Sequence, residues 1–262
     1  MSVVAALSVI THLRILGPDI SGYPDHLSAL LSLPFFVVIF LGTWRVLQSE
    51  GIPISAIGLG KSEFLSGIVA FGLVWGWSTV AGLGYLMATG ANTAIGFAFD
   101  IRWYWVPIWF LLMLTLSNGL TEEFVFRGYV QSKCTALASG RSWLPAAGVG
   151  IVAGAILFGI PHIPLGLIAG GASPRAIPWI IAGNVIPGIA YGITYYLTQN
   201  LWYTGFVHGF GNATLVPFDV AAVPFFTPFA TGSAVVIALG YRYWAIRTQA
   251  HTVRIHKRTA TE

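Results

Sequence analysis

Two adjacent glutamates and an arginine interrupt an otherwise apolar stretch, Glu-Glu-Phe-Val-Phe-Arg at 122–127. An ionisable side chain at the centre of a spanning helix costs about 2.5–3.5 kcal/mol on insertion scales, so each one needs a reason. Glu123 and Arg127 are four residues apart, with the acid first, and on a helix they share a face and can pair. Glu122 points about 100° away. An unpaired carboxylate in a dry place suits a general base. A structural ion-pair network is the alternative, since such networks also hold buried charges.

Two of the six histidines, His162 and His208, lie within apolar segments. His162 follows Phe158 by four positions between two prolines, which free backbone groups; in a membrane this is tolerated where the chain is buried in protein or lines a wet cavity. His208 and Asn212 are also four apart and share a helical face. Two neutral donors on one face can stabilise a developing oxyanion. Ordinary hydrogen bonding between helices is the alternative for both positions.

Few other residues suggest chemistry. Asn118 lies one helical turn before Glu122 and can orient it. The sequence has no nucleophile-elbow serine, no His-Glu-x-x-His pair and no phosphate-binding glycine loop. The single cysteine, Cys134, excludes an intramolecular disulfide and a thiolate metal cluster. Two histidines and a glutamate can in principle hold zinc, so a metal is not excluded.

The composition places these residues in a membrane. Of the 262 residues, 56% are hydrophobic and 8% are charged, against about 25% charged in a soluble domain. Together with a mean hydropathy of +0.76, this excludes a soluble globule and a disordered chain. The net charge of +4 is no sign of nucleic-acid binding, because five of the 13 basic residues lie in the last 21 positions as a juxtamembrane tail. We therefore predict a multi-pass protein whose partner is the lipid bilayer.

About 20 residues of helix cross a bilayer, and on this basis we predict eight membrane helices in an all-α bundle. They cover 27–47, 64–88, 103–120, 122–138, 143–168, 176–198, 202–217 and 221–243. The connections are short, so 1–262 is read as one integral membrane domain with a basic tail at 244–262. Nine basic residues fall on the side of that tail and three on the other, which predicts that both termini face the cytoplasm.

Three motifs occur in order on three different predicted helices: Glu-Glu-x-x-x-Arg at 122–127, Phe-x-x-x-His at 158–162 and His-x-x-x-Asn at 208–212. Together they resemble the CAAX prenyl endopeptidase type II family, also called the CPBP or abortive-infection-like family of intramembrane glutamate proteases. The resemblance spans about 50–243. It implies an eight-helix bundle enclosing a membrane-embedded catalytic cavity. It also implies hydrolysis of a peptide bond in a prenylated CAAX-type or other membrane-associated substrate, in the cell membrane of a prokaryote.

The resemblance also implies roles for the motif residues. Glu122 and His162 would position and activate the attacking water, and His208 and Asn212 would stabilise the oxyanion. Glu123 and Arg127 would be the supporting ion pair, and Phe158 and Asn118 would support the catalytic side chains. This chemistry needs no bound metal or other cofactor.

Three alternatives stay open. A non-catalytic immunity or scaffold protein can keep the same fold, a transporter can use the buried charges as an ion path, and a metal-dependent peptidase can use the same side chains. The orientation is also open, because the charge distribution places Glu122 and His162 near the outer side, whereas a protease for prenylated proteins should open to the cytoplasm.

Overall fold

The computed structural model of the chain describes residues 25–90, 118–140, 145–164, 166–167, 171–212, 214 and 216–259. Over these residues the regular structure is helical and contains no strand, which confirms the predicted all-α class. The helices are α1 (Asp25–Ser49), a 3₁₀ turn (Ile54–Ile57), α2 (Lys61–Thr89), α3 (Asn118–Glu123), a π-helix (Phe124–Gln131), α4 (Ser132–Ala138), α5 (Ala146–Gly159), α6 (His162–Pro164), a 3₁₀ turn (Pro174–Ala176), α7 (Ile177–Thr198), α8 (Leu201–Asn212), a 3₁₀ turn (Val220–Ala222) and α9 (Phe226–Thr259).

Three described segments are long and apolar enough to cross a membrane: Ile54–Thr89, Ala146–Pro164 and Pro174–Thr198. A shorter apolar helix covers Phe36–Ser49. The predicted helix at 103–120 lies almost entirely outside the described residues, so the count of eight stays a prediction.

Several predicted helix bounds need correction. The predicted helix at 143–168 is divided, because Pro161 has no N–H to continue the hydrogen-bond ladder after α5. The helix predicted at 202–217 ends at Asn212. The helix predicted at 221–243 begins only at Phe226, because Phe225 has a left-handed φ of 62°, and it continues through most of the basic tail to Thr259.

α8 occupies the centre of the structure, and all of its residues from 203 to 210 are buried. Asn200 caps its first turn, since the Asn200 Oδ1 accepts a hydrogen bond from the Tyr203 N–H at 2.9 Å. The Asn200 Nδ2 donates to the Glu63 carbonyl oxygen of α2 at 2.7 Å. One side chain therefore fixes both the start of α8 and its contact with α2.

Glycines bring α3 and α8 into close contact. A Cβ built on Gly119 would lie 2.5 Å from the Gly205 carbonyl oxygen and 2.9 Å from the Gly209 Cα. A Cβ on Gly205 would in turn lie 3.0 Å from Leu120. Any larger residue at Gly119 would push the helices apart, so small residues set this approach. The acid pair that ends α3 is thereby held against α8.

The segment after the acid pair is a π-helix of eight residues, Phe124–Gln131. All of its residues except Tyr129 are buried, and the Ser132 hydroxyl donates to the Arg127 carbonyl oxygen five residues back at 3.0 Å. π-Helices are rare and are often found at functional sites. Together with α3 and α4 it forms a continuous helical run from 118 to 138, so the described residues show no break at 121 between the helices predicted at 103–120 and 122–138.

An ionic contact joins the end of α1 to this run. Glu50 accepts hydrogen bonds from the Lys133 Nζ at 2.5 Å and from the Tyr129 hydroxyl at 3.0 Å. The hydrogen bond from Lys133, followed by that from Tyr129, lowers the pKa of Glu50 below its ordinary value. A carboxyl group whose pKa is lowered by folding stabilises the folded state above its ordinary pKa, and this contribution is lost as the pH falls.

We expect Glu50→Gln to lower the melting temperature slightly at neutral pH, and the difference from the wild type to shrink as the pH is lowered through 4.5, the ordinary pKa of glutamate. The effect should be small because exposed ion pairs contribute little. Thermal unfolding across this pH range measures it. The difference in melting temperature between Lys133→Met and the wild type should shrink over the same pH range. A difference that does not change with pH would contradict the assignment of this stability to the Glu50–Lys133 pair.

Candidate active site

A buried carboxylate, that of Glu123, lies between a guanidinium and an imidazole. Its Oε2 accepts a hydrogen bond from the Arg127 Nε at 3.0 Å, and its Oε1 lies 2.8 Å from the His208 Nδ1. The side chains of Glu123 and Arg127 are 0% exposed and that of His208 is 4% exposed. Glu123 and Arg127, four residues apart, thus form an ion pair. The Glu123 carboxylate also contacts His208, which lies 85 residues later on another helix.

Glu122 is the accessible member of the acid pair. Its side chain is 17% exposed, and its Oε2 lies 3.8 Å from the His208 Nε2. That distance is too long for a direct hydrogen bond, and leaves the carboxylate close to the imidazole without engaging it. His208 therefore stands between two carboxylates, one bound to its Nδ1 and one facing its Nε2.

The contact with Glu123 fixes which nitrogen of His208 carries a proton. An ionised carboxylate only accepts hydrogen bonds, so the Nδ1 must be the donor. In the neutral ring the Nε2 is then an acceptor and cannot donate to an oxyanion. His208 becomes a donor at Nε2 only when the ring is protonated. The role of His208 as an oxyanion donor stays a prediction.

Two substitutions test the contributions of the Nδ1 and Nε2 atoms of His208. Gln at 208 can place a neutral N–H near the position of Nε2, whereas Asn at 208 can only replace the Nδ1 contact with Glu123. For the peptide hydrolysis that the motifs predict, we expect both His208→Gln and His208→Asn to lower kcat by about 10²-fold, because neither side chain is a charged hydrogen-bond donor. Steady-state kinetics measure this. A His208→Gln enzyme with nearly full kcat would show that a neutral donor suffices.

Phe158 is a shared contact for the aromatic and charged groups of the site. Its ring packs edge-on against His208 at 5.5 Å between centroids and lies 4.9 Å from the His162 ring. The Arg127 guanidinium carbon lies 5.4 Å from the same ring, within the range of a cation–π contact. Phe158 thus links the motif that contains His162 to those that contain Arg127 and His208.

Two other predicted residues, His162 and Asn212, lie at the edge of this group of side chains. His162 is half-buried in α6, and its Nδ1 lies 2.9 Å from the Phe158 carbonyl oxygen; among the contacts of the described residues, none joins it to Glu122. Asn212 is exposed at the end of α8, one turn after His208. The side chain of Asn118 lies outside those described. The predicted roles of these three residues stay predictions.

The predicted catalytic cavity also stays a prediction. The structure has a small cleft between α8 and α9, lined by residues that include Gly211, Thr214, Thr227 and Thr231. Neither Glu122 nor His162 lines it. Within the described parts of the chain, no group of three or more His, Cys, Asp or Glu side chains is arranged to hold a metal ion.

Tyr191 of α7 is a neighbour that sequence reasoning missed. Its ring stacks on His208 with the centroids 4.7 Å apart and the planes at 19°. Nothing in its spacing distinguishes it from the other nine tyrosines of the chain. Only the packing of α7 against α8 brings it to the site.

One comparison with known proteins finds a family that matches part of the chain. Residues 104–214 match a family model described as Type II CAAX prenyl endopeptidase Rce1-like. No curated protein and no solved structure matches the chain. The matched region contains Glu122, His162, His208 and Asn212. The matched family is a membrane-embedded protease family, so the match, together with the three apolar helices, supports a membrane-embedded hydrolase. The resemblance to the type II CAAX prenyl endopeptidase family is confirmed.

Proposed function

We propose that this chain is a multi-pass intramembrane endopeptidase that hydrolyses a peptide bond in a prenylated CAAX-type or other membrane-associated protein. One observation carries the proposal: His208 lies between the accessible carboxylate of Glu122 and the buried carboxylate of Glu123, and Arg127 pairs with the latter. These residues lie in the segment that matches the protease family.

Glu122 is the general base of the proposed reaction. Water attacks the scissile carbonyl carbon as its proton passes to Glu122, and the carbonyl oxygen becomes an oxyanion. When the tetrahedral intermediate collapses, the C–N bond breaks and the proton on Glu122 moves to the leaving amine. His162, on the turn after α5, helps to orient the water. No step of this sequence requires a metal.

Protonated His208 donates from Nε2 to the oxyanion, and the Asn212 amide, one turn further along α8, is the second donor. Glu123 binds the imidazolium at Nδ1, and Arg127 holds the Glu123 carboxylate in place. Preorganised donors of this kind act where charge develops in the transition state. The buried Glu123–Arg127 pair thus supports catalysis through His208.

The test is cleavage of a quenched fluorogenic peptide by detergent-purified protein, with and without a farnesylated CAAX end. Wild type and Glu122→Ala are compared, each with and without a chelator. We expect cleavage by the wild type that is lost in Glu122→Ala and is indifferent to the chelator. Loss of wild-type cleavage with the chelator would instead establish a metal-dependent peptidase.

A non-catalytic immunity or scaffold protein of the same fold is the second candidate function. The complete burial of the Glu123–Arg127 pair favours it, because such a pair also fits a purely structural network. This candidate predicts no cleavage of either peptide by the wild type. A transporter would instead show uptake that depends on an ion gradient in sealed vesicles.

A further inference from the structure

The His208 ring is held on more than one side. Glu123 binds its Nδ1, Phe158 packs edge-on against it, and Tyr191 covers a face of the ring. A single hydrogen bond leaves an imidazole free to tilt, because the torsion that turns the ring is soft. A parallel ring at 4.7 Å removes that freedom.

Tyr191 is itself fixed at its other end. Its side chain is 4% exposed, and its hydroxyl lies near the Thr231 side chain of α9. The hydroxyl also lies against the backbone of α8, where a Cβ on Gly211 would come within 3.0 Å of it. Tyr191 belongs to α7 and its hydroxyl end lies against both α8 and α9. Its ring therefore has a fixed position against the His208 imidazole.

We propose that Tyr191 is a positioning residue for the reaction: its ring keeps the His208 imidazole in the plane in which Nδ1 faces Glu123 and Nε2 faces Glu122. The inference rests on the proposed function for its kinetic part only. Misplacement of a catalytic group by about 1 Å can cost about 10²-fold in rate.

The chain offers a matched control on the same helix. Tyr195 lies one turn after Tyr191, is 3% exposed, and its hydroxyl donates to the Ile57 carbonyl oxygen at 3.2 Å. Its described contacts do not include His208. Tyr191→Leu and Tyr195→Leu therefore remove the same side chain at similar burial, and only the first removes the stacked ring. Tyr191→Phe keeps the ring and removes the hydroxyl.

The first measurement is kcat and KM for peptide cleavage, with thermal unfolding of each variant. We expect Tyr191→Leu to lower kcat by about 10- to 100-fold with little change in KM. Tyr191→Phe should stay within about threefold of the wild type, since the stack is retained. Tyr195→Leu should lower the melting temperature without changing kcat per folded molecule. Equal kcat in the two leucine variants would overturn the inference and leave the proposed function intact.

A second measurement does not depend on activity. The ¹⁵N resonances of histidine rings report which nitrogen carries the proton, and the signal of His208 is assigned by its loss in His208→Gln. We expect Nδ1 to keep its proton in the wild type and in Tyr191→Phe, whether the ring is neutral or charged, and we expect exchange of the proton between Nδ1 and Nε2 in Tyr191→Leu. An unchanged spectrum in Tyr191→Leu would contradict the positioning role, whether or not the protein cleaves a peptide.

Discussion

Glu122→Gln is expected to lower kcat for peptide cleavage by about 10²- to 10⁴-fold, the usual contribution of a general base. Glutamine has the same shape but cannot take a proton from water. Glu122 is partly exposed and 3.8 Å from the His208 Nε2, so the change leaves the Glu123–Arg127 pair in place. The melting temperature should therefore stay close to that of the wild type. Single-turnover cleavage and thermal unfolding measure the two quantities.

Glu50→Gln is the matched control for this prediction. It makes the same chemical change at a carboxylate that pairs with Lys133 at the end of α1. We expect its kcat to equal that of the wild type at temperatures where both are folded. A Glu122→Gln enzyme that keeps kcat within about threefold of the wild type would remove Glu122 from the role of base.

Arg127→Met is expected to destabilise the protein by about 3–5 kcal/mol, because it removes the guanidinium that pairs with the fully buried Glu123 carboxylate. The double variant Glu123→Gln/Arg127→Met removes both charges and keeps an oxygen for the His208 Nδ1–H. It should recover much of the lost stability, since a buried ion pair can often be replaced at little cost. Unfolding titrations in mixed micelles measure the free energy of unfolding of the wild type, Arg127→Met and the double variant.

Activity should not recover with stability in the double variant. A neutral amide at 123 stabilises the His208 imidazolium less than a carboxylate does, so kcat should stay well below that of the wild type. Full recovery of kcat would show that the pair is structural only. A double variant no more stable than Arg127→Met would contradict the assignment of the instability to an unpaired charge.

Sequence reasoning found the local contacts better than the distant ones. The pairing of Glu123 with Arg127 follows from a spacing of four residues on one helix. The contact of Glu123 with His208 does not, because it depends on how closely α3 approaches α8 at Gly119 and Gly205. Hydropathy and spacing carry no information about that approach. His208 was accordingly paired with Asn212 alone, and its link to the acid pair was missed.

The bounds of the helices show the same contrast between features that local sequence predicts and features that it does not. The long apolar segment that includes α7 was predicted at 176–198 and is found at 177–198, because its length and composition suffice. The start of α9 was wrong, since it depends on the left-handed backbone at Phe225, a residue type that seldom adopts it. The π-helix at 124–131 has no sequence signature that the reasoning could use.

The 85 residues between Glu123 and His208 have a consequence for biosynthesis. A ribosome adds about 5–20 residues per second, so the acid pair is made roughly 4 to 17 s before the imidazole that it will hold. During that interval Glu123 has Arg127, its local partner, and Glu122 has no imidazole beside it. The site is assembled only when α8 docks on α3, so a nascent chain that stops short of α8 lacks the histidine on which the proposed hydrolysis depends.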